Sequence, residues 1–157
     1  MKIVVVAVGR LKAEYARLGC KTFFDRAQRA LPLKVIETRD AHRRRGMPPE
    51  KCKEEEAKLL LAAVPDGATI VALDERGREW TSRQFSQWMG ARRDDGVSSL
   101  VFLIGGPDGL HPRVRERAHR VWSLGAMTLP HELARLVLSE QIYRATTLLA
   151  GAPYHRD

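Results

Sequence analysis

The sequence predicts an α/β fold, a sandwich built around a mostly parallel sheet. Two apolar runs, at Lys2–Val8 and Ser98–Ile104, are typical of strands that are covered on both faces. Helix-period segments lie between the short apolar runs along the whole chain, which is the pattern of a parallel sheet. No repeat, linker or low-complexity stretch interrupts the 157 residues. We therefore expect one domain over residues 1–157.

The first half of the chain alternates strands with helices. In order, the pattern predicts a strand at Lys2–Val8, a helix at Leu11–Ala30, a strand at Leu33–Thr38, a loop at Arg39–Pro49, a helix at Glu50–Val64, a turn at Pro65–Gly67 and a strand at Ala68–Leu73. The loop is polar and basic and closes with two prolines. The turn is a Pro-Asp-Gly sequence, which favours a reversal between a helix and a strand.

The second half continues the alternation. Thr81 and Gln84 have the spacing of a capping box for a helix that runs to about Arg92. The apolar strand at 98–104 follows, and Pro112 suits the first turn of a helix that ends at about Arg120. Residues 121–129 form a short apolar strand or loop. A last long helix begins at Pro130 and ends at about Ala150.

Net charge is the unusual feature of the composition. The chain carries 27 basic and 19 acidic residues, a formal charge of +8 and a pI of about 10.0, which favours a polyanionic partner such as nucleic acid. Twenty of the basic residues are arginine, so the excess can also reflect genome base composition. Cys20 and Cys52 form no CxxC pair, and no stretch has the ~20 apolar residues of a membrane helix. These features predict a cytoplasmic protein without disulfides.

Two segments are candidates for a ligand site. The strand at 98–104 runs into GGPDGLHP at 105–112, a position where α/β proteins bind ligands. Glycines there permit close backbone approach, although a plain turn explains the same residues. WSLGAMTLPHELAR at 122–135 places small residues among apolar ones before the last helix, as in a pocket or a buried turn. No GxGxxG, GxxxxGK[ST] or GxSxG motif occurs, and no His, Cys or carboxylate set has metal-site spacing, so we expect no catalytic metal.

The last helix and the tail carry further signals. Apolar residues cover more of this helix than packing on one sheet requires, which predicts a homodimer. Arg135 and Arg144 are expected near the edges of the helix, as solvated charges or phosphate contacts. The chain ends in Tyr154, His155, Arg156 and Asp157, and Asp157 is expected to pair with Arg156. The basic run Arg43–Arg45 is either a solvated loop or part of an RNA footprint.

Five segments together resemble the RlmH family of small SPOUT methyltransferases. They are KIVVVAVGRLK at the start, VALDERG at 71–77, LIGGPDGLH at 103–111, WSLGAMTLPHELAR at 122–135, and EQIYRA followed by the terminal PYHRD. The resemblance covers essentially the whole chain and is least distinctive between about 39 and 58. It implies a trefoil knot in the C-terminal part, about 68–157. It also implies a homodimer that uses S-adenosylmethionine to methylate N3 of a pseudouridine in helix 69 of 23S rRNA within the 70S ribosome.

The resemblance also implies site residues. By position, the cofactor contacts are Leu73, Gly105, Leu124, Gly125, Ala126, Met127, Thr128 and Leu129. The catalytic residues are expected in the tail: Tyr154 positions the base, Arg156 stabilises an anion or phosphate, and His155 is a weaker candidate for a general base or else a packing contact. Arg144 is expected to bind RNA.

Three other functions were weighed against this one. A different SPOUT substrate, such as tRNA or another rRNA nucleotide, would more often come with an added RNA-binding domain. A silent ribosome-binding module would keep the basic surface but lose the intact IGGP-x-G and YHR sequences. A nicotinamide oxidoreductase is disfavoured by the missing GxGxxG motif.

Overall fold

The computed structural model describes residues 1–41 and 46–154, and within them the predicted alternation of strands and helices is confirmed. The strands are β1 (Lys2–Val8), β2 (Leu33–Thr38), β3 (Thr69–Glu79), β4 (Ser99–Ile104) and β5 (Arg120–Ser123). The helices are α1 (Glu14–Ala27), α2 (Pro49–Ala62), α3 (Ser82–Asp94), α4 (Pro112–Arg117) and α5 (His131–Leu149). The predicted turn lies between α2 and β3, where Gly67 has a positive φ of 70°.

The five strands form one sheet in the order β2-β1-β4-β3-β5, and every neighbouring pair is parallel. The sequence predicted a mostly parallel sheet, and the described sheet is wholly so. Successive side chains of a strand point to opposite faces, which explains why β1 contributes to two separate cores. Ile3 and Val5 pack with residues of α1, α3 and α5, whereas Val4 and Val6 pack with residues of α2 and α4.

Helix α1 ends at Ala27 rather than at the predicted Ala30, and three further predicted boundaries were wrong because tertiary contacts decide them. Helix α1 begins at Glu14 rather than Leu11, since the amides of Lys12 and Ala13 donate hydrogen bonds to the Glu132 carboxylate at the start of α5. Helix α4 ends at Arg117 rather than Arg120. After Arg117 the chain pairs with β3 instead of continuing the helix, because the His119 amide donates a hydrogen bond to the Ile70 carbonyl at 2.9 Å.

Strand β3 is the third correction, because it continues past Leu73 to Glu79. Its polar second half, DERGRE, carries no signal of a buried strand. Trp122 of β5 pairs first with Leu73 and then with Arg78, so residues 74–77 form an irregularity between two pairing segments. Gly77 permits the close approach, since a Cβ there would lie 2.5 Å from the Val121 carbonyl carbon.

The predicted capping box is confirmed at the start of α3, where the Gln84 amide donates to the Thr81 hydroxyl at 3.2 Å and the Thr81 amide donates to the Gln84 side chain at 2.9 Å. Cys20 and Cys52 are buried free thiols. None of the described helices is long and apolar enough to span a membrane. The trefoil knot implied by the resemblance stays a prediction.

Candidate active site at the carboxyl ends of three strands

A cavity of about 640 Å³ lies where the neighbouring strands β4, β3 and β5 end. Its walls are the residues that follow each strand, including Asp74–Arg76 after the first part of β3, Gly105–Leu110 after β4 and Leu124 onwards after β5. Helix α5 adds His131 and Ala134 from its first turn. The volume is in the range of small-molecule sites, about 300–1,000 Å³. The edge of a parallel sheet is also where α/β folds usually bind ligands.

The loop after β4 folds back tightly on itself. The Gly109 amide donates to the Gly106 carbonyl at 3.0 Å, and Gly109 has a φ of 82°. A Cβ at Gly105 would lie 2.7 Å from the carbonyl carbon of Gly109, so this position accepts only glycine without a shift of the loop. The glycines therefore allow a tight turn within the loop, and cofactor binding by this loop stays a prediction.

The loop after β5 presents its backbone to the cavity. The Ser123 hydroxyl donates to the Gly125 carbonyl at 2.9 Å, and the Thr128 hydroxyl donates to the Glu75 carboxylate at 3.2 Å. Within residues 1–41 and 46–154, the backbone of 124–129 makes no hydrogen bond with another backbone group. The Gly125 amide also donates to the Ser123 hydroxyl at 3.3 Å, so the backbone groups of this loop other than those of Gly125 are available to a ligand.

The cavity brings together all the predicted cofactor residues except one. Those that line it are Leu73, Gly105, Leu124, Gly125, Met127, Thr128 and Leu129. Ala126 is exposed and is not part of the lining. Met127 lines the cavity but is 79% exposed, so its side chain is free to move against a ligand. Leu73, Leu124 and Leu129 supply apolar surface.

Several cavity residues were missed by sequence reasoning. Asp74 is 5% exposed, and its carboxylate accepts a hydrogen bond from Arg115 at 3.1 Å. Lys53 reaches the cavity from α2 and pairs with Glu50 at 2.8 Å. Burial lowers the pKa of His131, so its imidazole is neutral at neutral pH and can accept a proton. Of these residues, only His131 had a signal in the sequence, because it directly follows the candidate segment that ends at Leu129-Pro130. Asp74 and Lys53 come to the cavity from distant parts of the chain.

Tyr154, the described member of the predicted tail residues, does not line this cavity. The Tyr154 hydroxyl donates to the Glu140 carboxylate at 3.1 Å, and the Tyr154 ring lies 4.6 Å from that of Tyr143. Arg144 donates to the same carboxylate at 2.6 Å, and its guanidinium lies 5.0 Å from the centre of the Tyr154 ring. Burial, followed by the charge of Glu140, raises the pKa of the Tyr154 phenol. Tyr154 and Arg144 thus form one cluster, called here the tail cluster.

The tail cluster lies further along α5 than the residues that line the cavity. Glu140 and Arg144 lie six and ten residues beyond Ala134, the last cavity residue on the helix, which corresponds to about 9 and 15 Å along the helix axis. The predicted residues His155, Arg156 and Arg43–Arg45 lie outside the described residues.

Arg135 is buried, contrary to the prediction that it lies at an edge of the last helix. Its side chain is 2% exposed and pairs with Glu37 of β2 at 2.6 Å. The guanidinium also donates to the Gly9 carbonyl at 2.8 Å. Arg135 therefore fastens the start of α5 to the carboxyl ends of β1 and β2.

Comparison with known proteins identifies relatives over the whole chain. The family model described as "Predicted SPOUT methyltransferase" matches residues 1–155. A Brucella anthropi protein named ribosomal RNA large subunit methyltransferase H is 43% identical over 160 residues, covering 100% of both chains. Proteins of the same name from Xanthobacter autotrophicus and Roseobacter denitrificans are each 46% identical, covering 99% and 100% of both chains respectively.

Proposed function

The chain belongs to the SPOUT methyltransferase family, and from that premise we propose that it transfers a methyl group from S-adenosylmethionine to RNA of the large ribosomal subunit. The observation that carries the proposal is the end-to-end similarity to proteins named ribosomal RNA large subunit methyltransferase H. The basic charge of +8 suits a polyanionic substrate. More narrowly, we propose N3 of a pseudouridine in helix 69 of 23S rRNA as the methylated atom, within assembled 70S ribosomes of the cytoplasm.

The cavity fits S-adenosylmethionine on the chemistry of its walls. Leu73, Leu124 and Leu129 offer apolar contact to an adenine ring. The backbone groups of 124–129 other than those of Gly125 offer donors and acceptors to its edge and to ribose hydroxyls. Gly105 permits the tight fold of the loop that forms one wall of the cavity. When bound, the cofactor supplies an electrophilic methyl group on a sulfonium. The residues around it hold and orient the cofactor and exclude water.

Transfer to N3 requires that the N3 proton leave before or during attack. His131 lines the cavity, and its lowered pKa keeps it neutral, so it can accept that proton. His155 of the tail is the second candidate base. Arg156 would stabilise the anion that develops on the base, and Tyr154 would stack on the target nucleotide. These assignments to Tyr154, His155 and Arg156 are part of the proposal, as is RNA binding by Arg144.

We propose that the active site is completed by a second copy of the chain. Tyr154 and Arg144 of the tail cluster do not line the cavity of their own chain, which supports a site whose tail residues come from the partner. Helix α1 packs beside α5 and exposes Tyr15 and Leu18, which are 57% and 53% exposed and lie one turn apart. This apolar surface supports a homodimer through α1 and α5.

Transfer of labelled methyl groups tests the proposal. The purified protein and labelled S-adenosylmethionine are incubated with unmethylated 70S ribosomes, free 50S subunits or naked 23S rRNA, and the modified nucleoside is identified by mass spectrometry. Label at a pseudouridine of 23S rRNA with 70S particles alone is the expected result. Measurable cofactor binding without transfer to any of the three would contradict the proposed substrate, and tRNA would be tried next.

A further inference from the structure

A second concave surface lies on the edge of the sheet, between the second half of β3 and the start of β5. It has a volume of about 400 Å³, and its principal side chains are Arg76, Arg78, Trp80, His119 and Arg120. We call it the edge groove. Its lining contains three guanidinium groups, an imidazole and an indole, and no carboxylate. This composition is typical of surfaces that bind nucleic acid.

Two of the three arginines of the edge groove have no acidic partner in the described structure. Within residues 1–41 and 46–154, Arg78 and Arg120 form no ion pair or side-chain hydrogen bond. Arg76 is 65% exposed and pairs with Asp74 at 3.5 Å, and the same carboxylate also pairs with Arg115 at 3.1 Å. The guanidinium groups of Arg78 and Arg120 are therefore free to contact phosphates, which arginine can bind in bidentate fashion.

The backbone that carries these side chains is held in place. Arg78 pairs with Trp122 across the two strands, and the close approach at Gly77 fixes the neighbouring turn. His119 accepts a hydrogen bond from the Ile70 amide through Nδ1 at 3.0 Å. The proton of its neutral ring must then be on Nε2, which leaves that atom as a donor. The backbone of the edge groove therefore needs little ordering before it can bind, and the cost of binding lies in ordering the exposed arginine side chains.

The edge groove lies next to the cofactor cavity, because Arg76 lines both. Arg120 precedes Leu124 of the cavity by four residues, or about 13 Å along an extended strand. A single RNA segment can thus span the two. Resting on the proposed function, we propose that the edge groove binds the phosphodiester backbone of the substrate RNA beside the nucleotide to be methylated.

Equilibrium binding to unmethylated 70S ribosomes, measured at several salt concentrations, tests this inference. The variant Arg78→Gln/Arg120→Gln removes two free charges from the edge groove. The control Arg29→Gln/Lys34→Gln removes the same number of exposed charges at β2, the strand at the opposite edge of the sheet. Arg29 and Lys34 form no ion pair within the described residues. Arg78→Lys/Arg120→Lys keeps the charge. Affinity for S-adenosylmethionine and methyl transfer at saturating ribosomes are measured on every variant.

The glutamine variant is expected to bind ribosomes about tenfold more weakly at ~0.15 M salt, with a salt slope lower by about 1.4, since each phosphate contact on a single strand contributes about 0.7. Its affinity for S-adenosylmethionine should be unchanged. The lysine variant should keep most of the salt slope. Equal losses in the glutamine variant and the control, or no loss in either, would overturn the inference. In either of those cases the proposed function still stands if the wild-type protein methylates ribosomes. A wild-type protein that neither binds nor methylates any ribosomal RNA overturns both the proposed function and this inference.

Discussion

Replacing Arg135 by methionine should destabilise the protein far more than removal of an ordinary surface charge. The side chain is 2% exposed and its guanidinium donates to Glu37 at 2.6 Å and to the Gly9 carbonyl at 2.8 Å. Loss of the donor leaves backbone oxygens without that partner, at a cost of about 2 kcal/mol. The Glu37 side chain is 34% exposed, so water can solvate its carboxylate once Arg135 is gone. Loss of the ion pair between Arg135 and Glu37 therefore adds only about 1 kcal/mol.

The expected total is about 3 kcal/mol, which corresponds to a shift of about 1.5 M in the urea midpoint for a slope near 2 kcal/mol per M. Lys21→Met, which breaks an exposed pair with Asp25, is the control and should cost about 0.5 kcal/mol or less. Cofactor affinity should fall in Arg135→Met as well, because the first turn of α5 lines the cavity. Adding Glu37→Gln to Arg135→Met should cost less than the sum of the two single changes. A loss no larger than that of Lys21→Met would refute the reasoning.

Three further predictions concern the cavity and the tail cluster. Gly105→Ala places a Cβ 2.7 Å from the Gly109 carbonyl carbon and should destabilise the protein by about 1–3 kcal/mol while weakening S-adenosylmethionine binding in calorimetry; unchanged binding would argue against this loop as a cofactor contact. The pKa of His131 is lowered below 6.5 by burial, so between the two pKa values the unfolded chain holds a proton that the folded chain lacks. The free energy of unfolding should then fall as pH drops below about 6.5, and His131→Gln should lessen this dependence in urea titrations; an identical pH profile would contradict it. Tyr154→Leu removes the ring that is proposed to stack on the target nucleotide and should slow methyl transfer with little change in cofactor affinity, whereas Tyr154→Phe keeps the ring, loses only the hydrogen bond to Glu140 and should retain most of the activity at a cost in stability of about 1 kcal/mol or less; full transfer activity of Tyr154→Leu would remove Tyr154 from the proposed machinery.

Local patterns predicted the fold well where one segment determines its own structure. The bounds of β1 and β2 and the capping box of α3 were predicted as they occur. The apolar run of β1, the short segment LKVIET of β2 and a threonine three residues before a glutamine are all local signals. The start of α1 depends instead on Glu132, which lies 120 residues away. The second half of β3 consists of polar residues whose strand conformation comes from pairing with β5. The residue pattern within α1 or β3 alone does not indicate the contact with Glu132 or the pairing with β5.

The candidate site was predictable in its loops and not in its surroundings. The glycines at 105–109 and the segment 124–129 stand out in the sequence and line the cavity, Ala126 excepted. Arg135 looks like a surface charge in a helical pattern, because its partners Glu37 and Gly9 are about a hundred residues earlier in the chain. The edge groove likewise assembles arginines from two separated segments, each of which is an unremarkable charged stretch alone.

Photochemical labelling tests the central claim most directly, namely that the cavity at the ends of β3, β4 and β5 binds S-adenosylmethionine. The full-length protein is irradiated with methyl-labelled S-adenosylmethionine, with and without excess unlabelled cofactor, and the labelled peptides are identified by mass spectrometry. We expect saturable labelling within 105–110 or 122–131. Saturable labelling confined to other segments, with these two unlabelled, would contradict the account.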